Sequence, residues 1–164
     1  MIVVTRMTDE DAPTAVRLLQ ELDSKHGTDD WLERFARDVA DPDRHPVVAR
    51  LDGTLVGYAR TLPYVPTDED PPGHAPAGYY LLGLVVTPGA RRQGVATALT
   101  AARLQWITAR ADAAYFYTDH DNVASQRMHE ALGFRRISKS FWFPAMGDSK
   151  GEVLYGKQLA VAPA

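Results

Sequence analysis

The sequence predicts an α+β fold of about six to seven strands and about four helices, and three observations carry that prediction. An Asp52-Gly53 pair stands between two β-type runs, Val47 to Leu51 and Thr54 to Leu62. That dipeptide favours a type I′ hairpin turn because both of its residues tolerate positive φ. The run from Tyr79 to Val86 is nearly all apolar, which suits a strand buried on both faces in the middle of a sheet. From Leu84 to Leu99 the chain reads LVVTPGARRQGVATAL, so a β-type run stops at Thr87-Pro88-Gly89 and a helix-type pattern begins within a few residues.

The remaining elements follow in order. Ile2 to Arg6 is β-branched and alternates into a polar turn at Thr8-Asp9-Glu10-Asp11, forming a first short strand. Val16, Leu19 and Leu22 then recur at helical spacing, with Thr8 or Asp9 as the cap and Pro13 limiting how early regular turns begin. A second helix opens at Thr28-Asp29-Asp30, carries Trp31, Phe35 and Val39 on one face, and stops near Asp41-Pro42. After the hairpin, Pro63 to Gly78 holds five prolines and the acidic group Asp68-Glu69-Asp70, and reads as a mobile loop or a substrate-facing flap. The helix from Gly94 to about Ala109 places Val95, Leu99, Ala102 and Trp106 on one stripe. Ala113 to Thr118 is the next strand, and Asp119-His120-Asp121-Asn122 turns the chain. A short helix carries Ala124, Met128 and Leu132 inward before Gly133 ends it. Phe134 to Phe143 and Glu152 to Leu159 are the last strand-like runs, separated by Pro144 to Asp148. No internal repeat appears, and 164 residues is the size of a single domain over residues 1–164.

Composition excludes several classes. Apolar residues at 45% and charged residues at 24% are ordinary for a soluble globular chain. No apolar run is long enough to span a bilayer, and the N-terminal residues lack the features of a signal peptide, so no membrane association and a cytoplasmic location are expected. There is no cysteine, which removes disulfides, thiolate metal sites and a cysteinyl acyl-enzyme; no metal site is expected. A formal charge of −3 argues against nucleic acid as a partner.

The chemistry concentrates at Arg91-Arg92-Gln93-Gly94-Val95-Ala96. A strand that hands directly to a helix through small residues leaves backbone N–H groups free at the positive end of the helix, which makes an anion site. The adjacent arginines read either as a solvated turn or as partners of phosphate oxygens. Two better-known phosphate loops do not fit. A Walker-type loop needs a lysine that this stretch lacks, and the glycines at 89 and 94 are wrongly spaced for a dinucleotide fingerprint.

Arg/Gln-x-x-Gly-x-Gly/Ala, filled by Arg91, Gly94 and Ala96 after a strand ending in Val-Thr-Pro, resembles the acyl-coenzyme A signature of the GNAT N-acetyltransferase superfamily. Asn122-Val-Ala-Ser125-Gln-Arg-Met128-His129-Glu-Ala-Leu132-Gly133-Phe134 resembles the second recurrent motif of that superfamily, in the right order and at the right separation. The resemblance covers most of the chain from Ile2 to Leu159. It implies a single GNAT-type domain with a mixed, mostly antiparallel central sheet, and acetyl-CoA as acyl donor.

The resemblance also implies roles by position. Leu84 and Val86 fall on the strand whose backbone pairs with the pantetheine arm, and the Val86 N–H falls where an oxyanion is stabilised. Arg91, Arg92, Gln93, Gly94, Val95, Ala96 and Thr97 form the loop that binds the pyrophosphate. Asn122 and Ser125 fall where the pantetheine is contacted, although Asn122 also reads as a helix cap. His129 stands where the superfamily commonly has a tyrosine that protonates the departing thiolate. Histidine also donates a proton, so His129 reads as catalytic acid or as a structural histidine.

The general base is less defined. The central strand Tyr79 to Val86 holds no carboxylate. Asp119 ranks first among the candidates, with His120, His74 and a water chain beside it. Trp31, Phe35, the 63–78 segment and Trp142 are placed on the acceptor side by position, and equally read as core or as contacts of a homodimer. The expected activity is transfer of an acetyl group to a primary amine of a small molecule or peptide by direct attack in a ternary complex. The alternatives are a non-catalytic acyl-CoA sensor, a different acyl-CoA as donor, or a protein N-terminus as acceptor.

Overall fold

The computed structural model describes residues 1–22 and 26–160. They form two compact units, each built from two stretches of chain. Unit 1 comprises Met1–Leu62 and Leu81–Trp106, and unit 2 comprises Pro63–Tyr80 and the chain from Ile107 onward.

In unit 1, β1 (Ile2–Arg6) pairs antiparallel with β2 (Val47–Leu51), from Ile2↔Leu51 to Arg6↔Val47. β2 turns back into β3 (Thr54–Tyr64) through Asp52 at φ 50° and Gly53 at φ 88°, the two positive angles that the dipeptide predicts. β4 (Gly78–Val86) begins in unit 2 and continues into unit 1. Unit 1 has the strand order β1-β2-β3-β4, with β1/β2 and β2/β3 antiparallel, and within unit 2 the first residues of β4 pair parallel with β5 (Ala113–Asp119), Tyr79↔Ala114 and Tyr80↔Tyr115.

Helix α1 (Ala12–Leu22) starts one turn later than its cap implies, because Asp9–Asp11 forms a 3-10 turn. Thr8 donates its backbone N–H to the Asp11 carboxylate at 2.9 Å, and Arg50 pairs with the same side chain. Ala15, Val16, Leu18 and Leu19 pack on Trp31 and Phe35 of α2 (Thr28–Ala40) and on Val48 and Tyr58 of the sheet. Leu22, expected on this stripe, is exposed.

The stripe expected on α3 (Val95–Thr108) is also revised. Val95 and Leu99 are buried, but Thr100, Arg103, Leu104 and Ile107 complete the inner face, whereas Ala102 and Trp106 are half-buried. This helix is apolar on nearly every side, so periodicity carries little orientation. The packing of Val95 and Leu99 over Gly57 decides it. A Cβ on Gly57 would stand 3.0 Å from Leu99 Cδ1 and 3.1 Å from Val95 Cγ1.

In unit 2, β5 (Ala113–Asp119) pairs antiparallel with β9 (Glu152–Gln158), and β6 (Arg135–Ser138) adds to the other side of β9. α4 spans Val123–Ala131. The single strand expected from Phe134 to Phe143 is not formed. Ser138 Oγ donates to the Ser140 carbonyl at 2.8 Å and accepts the Ser140 N–H at 3.0 Å, a local loop that competes with the sheet ladder. The chain resumes as β7 (Trp142–Phe143), which forms a small hairpin with β8 (Gly147–Asp148) across residues that the sequence marks only as a separator.

The 63–78 segment is anchored to that hairpin. Ala75 donates its N–H to the Trp142 carbonyl at 2.8 Å, and Trp142 donates to the Gly73 carbonyl at 3.0 Å. Asp70, one of the acidic group, closes a turn by accepting from Tyr64 Oη at 2.5 Å and from the Thr67 N–H at 3.1 Å. The Tyr64 hydroxyl holds this carboxyl below its ordinary range. Among the described residues, no helix is long and apolar enough to cross a membrane.

Candidate active site

The phosphate-type loop is built in unit 1 by a sequence of short constraints. β4 ends at Val86, Pro88–Ala90 makes one 3-10 turn, and the chain then bends through Arg92 at φ 61° and Gly94 at φ 86° into α3. The first helical bond runs from the Ala98 N–H to the Gly94 carbonyl at 2.9 Å. Among the described residues, the N–H groups of Val95, Ala96 and Thr97 therefore have no backbone acceptor, and they stand at the positive end of a 14-residue helix.

Two loop side chains fold back to set this shape. Arg91 donates its Nε–H to the Val86 carbonyl at 3.1 Å, and Gln93 donates Nε2–H to the Gly89 carbonyl at 3.1 Å. Arg91, Arg92, Gln93, Gly94 and Thr97 are exposed, Val95 is buried and Ala96 is half-buried. Gly94 is constrained by its backbone angle rather than by crowding, because an added Cβ would meet only Ile2 Cδ1 at 3.9 Å. Leu84 and Val86 are half-buried on β4 just after Gly83, which takes φ 65°.

Sequence reading missed the charged groups that brace unit 1. Arg103 is the one charged residue of α3 and is fully buried. It donates Nη1–H to the Arg60 carbonyl at 3.1 Å and to the Leu82 carbonyl at 3.4 Å, tying α3 to β3 and β4. Burial pulls its guanidinium pKa down, and the carbonyl contacts compensate the desolvated charge. Asp38 of α2 is buried as well. Its carboxylate accepts from Arg44 Nη1 at 2.9 Å and Arg60 Nη2 at 2.9 Å, with Arg60 Nε 2.8 Å from the other oxygen. A lone arginine in an apolar helix and an aspartate three residues after Phe35 on an inward face were the available signals.

In unit 2, Asn122 caps α4, its Oδ1 accepting the Ser125 N–H at 3.2 Å. Asn122→Ala is expected to cost about 1 kcal/mol in chemical unfolding, the usual effect of losing such a cap. The inward face of α4 is formed by Gln126 and His129, while Ala124 is exposed and Met128 and Leu132 are half-buried, which corrects the expected apolar triad. Gln126 bridges two carbonyls, donating Nε2–H to Asp119 at 3.1 Å and His120 at 2.8 Å, and this rotates the helix onto its polar edge.

His129 is 3% exposed. Its ring stacks on Phe116 at 3.6 Å and meets Phe134 edge-on at 5.3 Å, and Nδ1 lies 2.7 Å from the Ser125 carbonyl. A carbonyl only accepts, so Nδ1 carries a proton there. The other proton-transfer candidates are placed more openly. Asp119 and His120 are exposed at the end of β5, His120 Nδ1 lying 3.1 Å from the Gly151 carbonyl, and His74 Nδ1 lies 2.8 Å from the Ala75 carbonyl in the anchored segment. Phe35 is a core residue of unit 1, Trp31 belongs to the same cluster, and Trp142 is half-buried in β7.

A strand that passes through an arginine-bearing turn into a helix start with open N–H groups makes an anion site of the kind that holds phosphates. The acetyltransferase (GNAT) family profile matches residues 9–134, and the chain belongs to that family. A mycothiol acetyltransferase of Frankia casuarinae is 39% identical over 128 residues, covering 73% of this chain and 36% of the relative. The N-alpha-acetyltransferase RimI of Mycobacterium tuberculosis is 28% identical over 148 residues, covering 80% of this chain and 84% of that protein. The chain spans about a third of the length of the mycothiol acetyltransferases it matches. Among solved structures, the ribosomal-protein-S18-alanine N-acetyltransferase from Escherichia coli superposes with a TM-score of 0.70 at 17% identity, covering 99% of this chain and 97% of that one. That likeness establishes the GNAT fold.

Proposed function

We propose that the chain is an acetyl-CoA-dependent N-acyltransferase that moves an acetyl group to a primary amine of a small molecule or peptide, as one GNAT-type domain over residues 1–164. The observation that carries this reading is the start of α3, where the Val95, Ala96 and Thr97 N–H groups have no backbone acceptor. Three convergent donors at a helix N-terminus, with Arg91 and Arg92 beside them, suit a pyrophosphate. The acetyltransferase names of the Frankia and Mycobacterium relatives support the same reaction class.

The reaction balances without an acyl-enzyme, in keeping with a chain that has no cysteine. The amine nitrogen attacks the thioester carbon, forming a C–N bond and an oxyanion, and the C–S bond breaks as the intermediate collapses. One proton leaves the amine nitrogen, and one reaches the coenzyme A thiolate. In this reading the backbone of Leu84 and Val86 aligns the pantetheine arm, and the Val86 N–H steadies the oxyanion. Asn122 and Ser125 contact the pantetheine. Asp119 takes the amine proton, its exposed position giving exchange with solvent.

His129 is assigned as the acid toward the thiolate, its ring orientation set by the Ser125 carbonyl and Phe116. His129→Phe is then expected to lower kcat by about a hundredfold, the low end of general acid catalysis, with the KM for acetyl-CoA nearly unchanged. Full turnover by that variant assigns the ring to packing alone.

The test of the function is thiol release from acetyl-CoA against a panel of amino acids, peptides, polyamines and aminoglycosides. Acceptor-dependent release supports the reading. Tight acetyl-CoA binding with no release across the panel favours an acyl-CoA sensor instead.

A further inference from the structure

Unit 1 carries a polar cluster on α2, β3 and β4 that the donor loop does not use. Arg34 of α2 is half-buried, with its guanidinium carbon 4.8 Å from the centre of the Trp31 ring. Among the described residues it makes no hydrogen bond and no ion pair. The nearby carboxylate, Asp38, is already occupied by Arg60 and Arg44. Burial lowers the Arg34 pKa and the like charge of Arg60 lowers it further, while Tyr58 and Asp38 oppose the shift.

Two neutral groups beside Arg34 are also unsatisfied. The Tyr58 hydroxyl and the Trp31 indole N–H are buried without a hydrogen-bond partner among the described residues. Such groups are costly to leave unpaired, and in a native fold they call for a ligand or a water. The cluster borders β4 where the donor is proposed to lie. A Cβ on Gly83 would stand 3.4 Å from Arg60 Cγ and Cδ and 3.7 Å from Tyr58 Cε1, and Gly83 immediately precedes Leu84. Gly83 itself is exposed, so β4 reaches solvent there in contact with the Arg60 and Tyr58 side chains.

We infer that this face of unit 1 receives an acceptor amine that also bears a carboxylate, with Arg34 pairing to the carboxylate and Tyr58 donating a hydrogen bond. Arg34 is a specificity-determining residue in this reading, which rests on the proposed N-acyltransferase function. An isolated guanidinium over an aromatic ring presents a planar fork of donors matched to a carboxylate, and the occupied Asp38 cannot satisfy it. A polyamine or other polycation is disfavoured here, because Arg34, Arg44 and Arg60 outnumber Asp38 and Asp41, the carboxylates paired with them among the described residues.

The experiment uses matched acceptors, each an amino acid or dipeptide offered as its free carboxylate and as its carboxamide. Binding is followed by calorimetry in the presence of coenzyme A, and turnover by thiol release. At least a tenfold preference for the carboxylate is expected in both assays, entering through KM. Arg34→Gln is expected to bring the carboxylate to the level of its carboxamide, and Arg34→Lys to restore part of the preference. Tyr58→Phe is expected to weaken the carboxylate severalfold without lowering the melting temperature. Equal binding of both forms by the wild-type protein overturns the inference, as does an Arg34→Gln variant that keeps the preference. A carboxylate preference in binding without any thiol release supports the anion site and counts against the transferase reading, so the two failures are distinct.

Discussion

Gly94→Glu is expected to abolish acetyl-CoA binding, with an affinity loss of at least a hundredfold by calorimetry, while the protein remains folded. Two effects act together. The new carboxylate enters beside the Val95, Ala96 and Thr97 N–H groups, fills the positive end of α3 and repels the pyrophosphate. Gly94 also sits at φ 86°, where a side chain costs roughly 1–2 kcal/mol. The fold tolerates that cost because the added Cβ meets only Ile2 Cδ1 at 3.9 Å. Gly94→Ala separates the two effects, since it keeps the strain and omits the charge, and it is expected to retain most of the affinity. Unchanged binding by Gly94→Glu would remove the phosphate role from the loop altogether.

Asp38→Ala is expected to destabilise the protein by about 3–5 kcal/mol, the usual cost of removing one partner from a buried ion pair. Asp38 is 1% exposed and holds Arg60 of β3 and Arg44 of the connection between α2 and β2. Truncation leaves the Arg60 guanidinium, itself 9% exposed, without its counter-charge beside Arg34 and Arg103. For a chain of this length the melting temperature should fall by on the order of 10 °C. A thermal scan with a fall under about 2 °C would mean that the arginines find other partners. The double variant Asp38→Leu/Arg60→Met, which removes both charges and keeps the volume, is expected to recover much of the loss.

What was legible in the sequence and what was not divides along the range of the interactions. The Asp52-Gly53 turn, the Asn122 cap and the handover from β4 to α3 depend on residues within a few positions of one another, and each stands as read. The run from Phe134 to Phe143 failed as one strand because Ser138 bonds the backbone of Ser140, a local competitor that apolar patterning does not reveal. The faces of α3 and α4 failed for the opposite reason. Arg103 and Gln126 point inward because carbonyls distant in sequence or around a turn need donors, so polarity alone assigns them to the wrong side.

By itself, then, the sequence determined the order of strands and helices from β1 to α4 and the turn from β4 into α3, because the shape of that turn follows from Arg92, Gly94 and the start of α3. Only the tertiary structure decided the buried charges. Asp38 meets Arg60 across 22 residues and Arg103 meets the Arg60 carbonyl across 43, and pairings over such distances leave no periodic trace in the chain. Tertiary packing also left Arg34 without a hydrogen bond or ion pair among the described residues, with Asp38 acting on it only through space. Whether a guanidinium is answered or open depends on which carboxylates the fold brings to it, and here α2 and β3 had already engaged the nearest one.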